Sequence, residues 1–408
     1  MFFHFYSNAY FGIFGIYSES FSSWAQGSEE LVLNKIELAK TEGVFANAGF
    51  LMRGNNTFYT SQIGLQGMVF SIIEKIVSLF TLNSIPVLKA LNVFTFEIVF
   101  FLLLFWLKNQ FGIGCSAITY FCTLASYWLL LSTRNLFAVT WTMLLPFVAV
   151  LLLLKQEEKI GKQYRILMLV VVFVTIFIRL GCGFEFSSSV LVSMELPFIY
   201  YSIKNFWPFK QFFLRSLEAG VAALVSFVAA IAINIWQRAT FLGSFNSAIT
   251  DIEHNIGKRT GFLAMDTSGA DYLKYGEAYE KSLKASALDV VYDYLQKRNI
   301  IVIFNALEVI LIVFVFVALC FIAKKYSASI TRNRRKLLSL AAMTGVSILA
   351  PISWFVLAKG HSAIHTNWNY LLWDMPFSII GTALCGAVLM YIIQDYIKRR
   401  RALRNMTK

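Results

Sequence analysis

The chain has 408 residues, of which 58% are hydrophobic and 14% are charged, and its formal net charge is +13. Soluble domains average about 45–50% apolar and about 25% charged residues, so this composition excludes an ordinary soluble fold. On a soluble protein this positive charge would indicate a nucleic-acid partner. Here the basic residues gather in short loops beside apolar segments, where they orient spans, so we predict membrane lipids and no nucleic acid as partners.

The apolar residues form continuous blocks of about 17–24 residues, the length that crosses a bilayer core as a helix. Lipid offers the backbone no hydrogen-bond partner, so only helices and closed barrels span it, and unbroken blocks favour helices. The sequence therefore predicts an all-α polytopic transmembrane helix bundle with about nine or ten spans and two large extracytoplasmic loops. The predicted spans are 1–17, 87–107, 113–133, 136–154, 166–182, 187–203, 213–236, 300–323, 337–357 and 375–393.

The N-terminal region divides into a weak first span and a large loop. Residues 1–17 are aromatic and apolar, but they lack the basic start and the small-residue cleavage site of a signal peptide. Residues 18–86 form the predicted first outer loop. Within it, 28–41 predict a short helix that begins at Ser28, and 61–82 predict an amphipathic helix that lies along the outer interface.

Positive charge distinguishes the two faces of the predicted bundle. Basic residues concentrate in the loops 155–165, 204–215 and 324–336 and in the C-terminal tail, and these four segments fall on one face. The positive-inside rule places this face, and with it the C-terminus, in the cytoplasm. The resulting division is a first outer loop at 18–86, a bundle at 87–236, a second outer loop at 237–299, and a second bundle with the basic tail at 300–408.

Three carboxylates stand out in the first outer loop, namely Glu19, Glu29 and Glu30. A carboxylate beside an aromatic residue such as Trp24, at the membrane surface, can act as a base with a raised pKa. The alternative for Glu29 and Glu30 is a structural role, because a helix N-terminus favours acids in its first turn. The alternative for Glu19 is a solvated loop, although this residue stands at the predicted membrane edge.

The segment 358–377 concentrates polar and aromatic residues in one short outer loop. His361 and His365 are four residues apart, the spacing of a metal-binding pair on a helix, but no third ligand follows, so we predict no metal. Cationic and amide side chains beside tryptophans instead favour a phosphate or sugar contact. The alternative is an interfacial aromatic belt. The candidate binding residues here are Lys359, His361, His365, Asn367 and Asn369.

A third candidate lies in the string IRLGCGFEF at 178–186. Arg179 falls near the outer end of one predicted span, and Glu185 begins the next. A charge within a span is a functional-site hypothesis by default. The alternative is an ion pair between these two residues across the tight turn.

The layout resembles the integral-membrane glycosyltransferases of the GT-C superfamily. The similarity covers most of the chain as architecture, with a first apolar block, an outer loop that carries carboxylates and an interfacial helix, many spans and a basic tail. The strings YTSQIGLQG at 59–67, GFEF at 183–186 and KGHSAIHTNWN at 359–369 look like those of bacterial relatives from surface-polysaccharide clusters. The short, uncharged N-terminus departs from the superfamily's pattern.

The resemblance implies a function and a location. The protein would move a sugar from a polyprenyl-phosphate donor, its co-substrate, to a glycan or lipid-linked acceptor at the outer face of a bacterial plasma membrane, with no other cofactor. Glu19, Glu29 or Glu30 would be the base, and Arg179, Lys359, His361 or His365 would hold the lipid phosphate. A polysaccharide polymerase, a lipid-linked glycan flippase and a non-catalytic transporter are the alternatives. The sequence contains no Walker, G-x-S-x-G or H-E-x-x-H motif.

Overall fold

A computed structural model describes residues 2–14, 28–161, 163–261, 282, 284–323 and 325–406. Helices dominate this part of the chain, and the predicted all-α polytopic class is confirmed. The helices are α1 (Phe2–Phe11), α2 (Glu29–Thr41), α3 (Leu65–Val77), α4 (Ser84–Phe111), α5 (Ile113–Leu124), α6 (Tyr127–Thr133), α7 (Trp141–Ile160), α8 (Gln163–Cys182), α9 (Ser187–Asn205), α10 (Phe209–Leu242), α11 (Phe245–Thr260), α12 (Ala287–Gln296), α13 (Ala306–Ala323), α14 (Ala328–Ser347), α15 (Leu349–Leu357), α16 (Lys359–Ile364) and α17 (Phe377–Met406).

Within the described residues, six helical stretches are long and apolar enough to cross a membrane, so the protein has the composition of a multi-pass membrane protein. Helix α9 is less apolar than these six stretches, and it packs against α7, α14 and α15 in the interior of the bundle. The most exposed of the six stretches is α13, only 17% of which is buried. The six are Ser84–Phe111, Gln163–Cys182, Phe209–Leu242, Ala306–Ala323, Ala328–Leu357 and Trp368–Met406.

The predicted span 113–133 is two helices, because the chain breaks at Ala125 and Ser126 between α5 and α6. The freed Ala125 carbonyl accepts a hydrogen bond from the Val302 amide at 3.1 Å, and Ser126 bridges to Ile301. These partners belong to the hairpin of β3 (Asn299–Ile301) and β4 (Phe304–Asn305). A broken helix is tolerated inside a bundle when neighbouring protein satisfies its backbone groups, as happens here.

The predicted start of the next span, at residue 136, is wrong, since α7 begins only at Trp141. The intervening segment is buried and non-helical, and side chains satisfy its backbone. Asn92 Nδ2 donates to the carbonyls of Thr133 and Asn135 at 2.9 Å each. Asn135 Oδ1 accepts from the amides of Phe137 and Ala138, at 2.8 Å and 3.0 Å. A short polar side chain that bonds local backbone in this way competes with helix formation.

The two predicted outer loops contain secondary structure of their own. Helix α2 matches the helix predicted at 28–41. Within the second predicted loop, α12 begins with a capping box between Ser286 and Asp289. The second loop begins later than residue 237, because α10 continues to Leu242. Helix α11 then follows almost at once. A hairpin of β1 (Leu51–Arg53) and β2 (Thr57–Tyr59) precedes α3.

Helix α3, inside the region predicted to lie along the interface, has an inverted amphipathic pattern. Its inward face is largely polar, with Gln66 and Glu74 buried. Its outward face exposes Val69, Ile72 and Ile76, which are 42%, 44% and 57% accessible. A helix in water has the opposite arrangement. The outward apolar face therefore indicates that α3 lies against lipid.

Gly64 provides a test of the junction between the β1–β2 hairpin and α3. Its φ is +82°, and a Cβ added there would lie 2.1 Å from the Gly49 carbonyl oxygen. We expect Gly64→Ala to lower the free energy of unfolding by about 2 kcal/mol or more, because a left-handed backbone and a main-chain clash both oppose a side chain. The measurement is the thermal unfolding temperature in detergent. Gly54→Ala is the matched control, since a Cβ at Gly54 meets no atom within 4 Å. Equal unfolding temperatures for Gly64→Ala and Gly54→Ala would contradict the close approach of Gly64 to the Gly49 carbonyl.

Candidate functional site

Arg179, on the last turn of α8, is buried and donates to main-chain oxygens of two segments. Its Nη2 donates to the Glu185 carbonyl at 2.8 Å. Its Nη1 lies 3.4 Å from the Ala138 carbonyl and 3.2 Å from Thr142 Oγ1. The planar guanidinium holds several acceptors in a fixed geometry. Arg179 thus fixes the turn between α8 and α9 against the non-helical segment before α7, and it donates to the Glu185 main chain rather than to the carboxylate.

The carboxylate of Glu185 points instead toward two residues from distant parts of the chain. Glu185 Oε1 lies 3.6 Å from Arg259 Nη2 and 3.7 Å from His361 Nε2. Arg259 belongs to the last turn of α11, and His361 belongs to the short helix α16. Both partners are mostly buried, with side-chain accessibilities of 19% and 8%. The cluster therefore joins two of the segments that the sequence singles out, 183–186 and 359–369. Helix α11 contributes its third member, Arg259.

The electrostatics of this cluster favour an ionised Glu185. Burial by itself raises the pKa of the Glu185 carboxyl, but the adjacent His361, with the charges of Arg259 and His365, more than offsets this effect. The resulting pKa lies well below the usual range of a glutamate. Opposite charges at this distance stabilise the ionised form. Glu185 therefore acts as a fixed negative charge that holds Arg259 in place.

His361 is surrounded by aromatic rings. The ring centroids of Trp354 and His365 lie 5.5 Å and 4.3 Å from that of His361. Its Nδ1 is buried and makes no hydrogen bond within the described part of the chain. In that same part, no three His, Cys, Asp or Glu side chains gather in a way that could hold a metal ion.

Helix α11 is fastened over this region by polar contacts on both sides. Arg238, near the end of α10, donates to Asp251 Oδ2 at 2.5 Å. Thr60 Oγ1 donates to the same oxygen at 3.0 Å, and Ser61 Oγ donates to Asn255 Oδ1 at 3.0 Å. These bonds tie α11 to α10 and to the chain just before α3. The region predicted as the second outer loop is thus part of the bundle's packing as far as Thr260.

The C-terminal end of α11 approaches α16 at a glycine. A Cβ added at Gly360 would lie 2.8 Å from the Lys258 carbonyl oxygen and 3.2 Å from that of Arg259. The two main chains can come this close only where one residue has no side chain. Gly360 therefore allows Arg259 and His361 to meet at Glu185.

A cavity of about 310 Å³ lies beside the cluster, between α10, α11, the α8–α9 turn and α15. One part of its wall is apolar, with aromatic and aliphatic side chains. Another part carries two guanidinium groups, amides and hydroxyls. The apolar wall consists of Phe184, Phe227, Ile231, Ile252, Ile256, Trp354, Leu357 and Ala358, and the polar wall consists of Ser61, Ser187, Ser188, Asn234, Arg238, Asn255, Arg259 and Thr260.

The candidate base residues occupy different environments. Glu29 is buried, its Oε2 accepts from Lys89 Nζ at 2.7 Å, and its Oε1 accepts from the Leu136 amide at 3.0 Å. Glu30 is exposed on the same first turn of α2. Glu19 lies outside the described residues. Both oxygens of Glu29 are therefore engaged in holding α2 against α4 and the segment before α7.

The remaining candidates in 359–369 also have definite positions. Lys359 Nζ donates to the Ala285 carbonyl at 3.2 Å. Asn369 is fully buried and donates to Ser362 Oγ at 3.2 Å, whereas Asn367 is exposed. His365 is exposed just after α16, and its ring lies beside that of His361 at a tilt of 35°. Of this set, His361 and His365 belong to the Glu185 cluster.

None of the sequence patterns described above identifies Arg238, Arg259, Asn234 or Asn255 as site residues. A signal was present. Phe245, Ile249, Ile252 and Ile256 follow a helical spacing, and Asp251, Asn255 and Arg259 follow the same spacing on a different face. An amphipathic helix that follows a span by two residues is expected to pack on the bundle.

No protein-family model, curated protein or solved structure matches this chain. The composition and the helical architecture, which make it an all-α multi-pass membrane protein, are therefore the basis of its classification. Its function has to be inferred from the chemistry of the cavity and the charged cluster beside it.

The low pKa of Glu185 leads to a pH-dependent prediction. A carboxyl whose pKa is lower in the folded than in the unfolded state contributes stability above the unfolded value, near 4.5, and loses that stability as the pH falls through the folded value. At pH 7 we expect Glu185→Gln to unfold at a lower temperature than the wild type in detergent. The difference should shrink steadily below about pH 4.5. A difference that stays constant from pH 7 to pH 3 would contradict an ionised Glu185, and Glu30→Gln, which changes an exposed carboxyl, is the control.

Proposed function

We propose that the protein is a membrane glycosyltransferase. It moves a sugar from a polyprenyl-phosphate donor to a glycan or lipid-linked acceptor at the outer face of a bacterial plasma membrane, in the synthesis of a surface polysaccharide. The observation that carries the proposal is the cavity, which combines an apolar wall with Arg238 and Arg259. An isoprenoid phosphate has the same two-part character, an apolar chain and an anionic head.

The cations suit the leaving group of such a transfer. As the bond between sugar and phosphate breaks, negative charge builds on the phosphate oxygens. A guanidinium that is already fixed in place stabilises this charge without reorganising, and it binds phosphate oxygens through paired N–H groups. Glu185 and Asp251 provide that fixation for Arg259 and Arg238. We therefore assign the phosphate-binding role to Arg259 and Arg238, with Arg179 as a residue that positions the turn.

The location of the cavity also supports a lipid substrate. Its apolar wall includes Phe227 and Ile231 of α10, a membrane-length helix whose apolar 18-residue stretch is only 28% buried. The neighbouring α11 exposes Phe245, Ile249 and Ile256 on its surface. Apolar surface of this extent beside a span is compatible with contact to lipid chains. A donor whose chain stays in the membrane could reach the arginines from there.

The same features allow a second candidate, a polysaccharide polymerase. In that class a large outer loop between late spans takes part in chain extension. The participation of α11 in the cavity, through Ile252, Asn255 and Arg259, is the observation that favours this candidate. Both candidates use a lipid-linked anionic substrate, so they share the binding test and differ in the product.

Binding of the lipid head is the direct test. The probe is decaprenyl phosphate, added to the purified full-length protein in detergent and followed by native mass spectrometry. We expect Arg259→Gln to raise the dissociation constant at least tenfold, which corresponds to about 1.4 kcal/mol for a charged contact. Arg53→Gln is the control, because Arg53 lies over the Tyr59 ring and does not line the cavity. Equal affinity of Arg259→Gln and the wild type would refute the phosphate-binding role.

The catalytic base requires a test in a cell whose surface glycan depends on this protein. Glu29 is held by Lys89 and the Leu136 amide, so we expect Glu29→Gln to lower protein abundance as well as activity. We expect Glu19→Gln or Glu30→Gln to abolish the glycan at normal abundance. Full activity of all three variants would show that none of Glu19, Glu29 and Glu30 is the catalytic base. A variant that yields shortened glycan with the first sugar still attached would favour the polymerase.

A further inference from the structure

An apolar groove lies on the outside of the bundle, at the end where α13 ends and α14 begins. Helix α13 forms one wall, α14 forms the other, and α17 contributes to the floor. Helix α13 ends at Ala323 and α14 begins at Ala328, and the groove shares no lining residue with the cavity beside the Glu185 cluster. Its lining residues are Val317, Cys320, Phe321, Ile330, Arg334, Leu337, Leu338, Ala341 and Leu384.

The groove faces the surroundings of the protein rather than its core. Helix α13 is the least buried of the membrane-length stretches, and Phe321 and Leu338 are 61% and 45% accessible. An apolar groove on a lipid-facing surface cannot hold water without leaving that water unbonded. Its natural occupant is therefore a hydrocarbon chain.

Arg334 is the one charged residue among those that line the groove. It is exposed, and no acidic side chain pairs with it within the described residues. The two basic residues that follow it point elsewhere, since Arg335 Nε donates to the Ile203 carbonyl and Lys336 Nζ donates to the Gln110 carbonyl. The Asp395 carboxylate lies at the start of α14 and accepts hydrogen bonds from the hydroxyls of Ser327 and Ser329.

Arg334 lies toward the N-terminal end of α14. It is six residues from the start of α14, which corresponds to about 9 Å along the helix axis. Leu337, Leu338 and Ala341 continue along the same helix toward the middle of the bundle. A cation at this level, with apolar walls below it, matches a phospholipid in its ordinary orientation, with the phosphate above and the chain below.

We propose that this groove is a binding site for a phospholipid with a net negative headgroup. One acyl chain lies along α13 and α14, and the headgroup phosphate binds the Arg334 guanidinium. A zwitterionic lipid would bring its own cation close to Arg334, whereas an anionic lipid supplies the missing opposite charge. The site is independent of the proposed glycosyltransferase activity, since it shares no residue with the cavity.

The test is native mass spectrometry of the full-length protein in detergent, with an equimolar mixture of phosphatidylglycerol and phosphatidylcholine that have identical acyl chains. We expect the wild type to retain phosphatidylglycerol in preference, and Arg334→Gln to reduce that preference at least threefold. Arg332→Gln removes the same charge two residues away, outside the groove, and should leave the preference unchanged.

A second variant tests the apolar wall. Ala341→Phe fills the groove below Arg334, and we expect it to lower the retention of both lipids without changing the unfolding temperature by more than a few degrees. Absence of a headgroup preference in the wild type would overturn the proposal. So would an equal effect of Arg332→Gln and Arg334→Gln, which would mean that the basic end attracts anionic lipid as a whole.

Discussion

The buried guanidinium of Arg179 holds together two segments that are not helical. One of them precedes α7 and the other connects α8 to α9, and each must satisfy its main-chain groups away from water. Arg179 donates to both of them, at Ala138 and at Glu185. A lysine, with a single ammonium, has no fixed fork with which to span two such segments. The position of the Glu185 carboxylate, and through it that of Arg259, depends on this arrangement.

The second constraint is the distribution of polar groups in a protein whose surroundings are apolar. Helix α3 turns Gln66 and Glu74 inward and Ile72 and Ile76 outward. Glu74 accepts a hydrogen bond from Ser84 Oγ at 3.1 Å, whereas the side-chain amide of Gln66 has no hydrogen-bond partner within the described part of the chain. Polar contacts in the interior therefore fix how the loop helices dock, while apolar side chains supply the surface that faces lipid.

The sequence predicts well those features that depend on local pattern. Blocks of apolar residues locate the long helices, and Ser28 with its following acids locates α2 to within a residue. Two strings that the sequence singles out, 183–186 and 359–369, belong to segments that meet in the folded chain. The local pattern does not determine which residues pair with each other in the folded chain. Glu185 pairs with Arg259 and His361, 74 and 176 residues further along by their numbers, and only the packing of α11 on α16 brings them together.

Glu29 is a second residue whose partners cannot be predicted from the local sequence. By position in the chain it resembles an acid at a helix start, and by context it resembles a membrane-edge base. The structure shows that it bonds Lys89 and the Leu136 amide, two partners that no spacing rule connects to residue 29. Both oxygens of Glu29 thus help to hold α2 against α4 and the segment before α7, a structural role that neither its position nor its context in the sequence reveals.

The charge balance of the cavity bears on what it can bind. Arg238 and Arg259 each lie near a carboxylate, Asp251 and Glu185, so the site at rest is close to neutral. A bound phosphate would add negative charge there without displacing either carboxylate, since a guanidinium has donors on more than one edge.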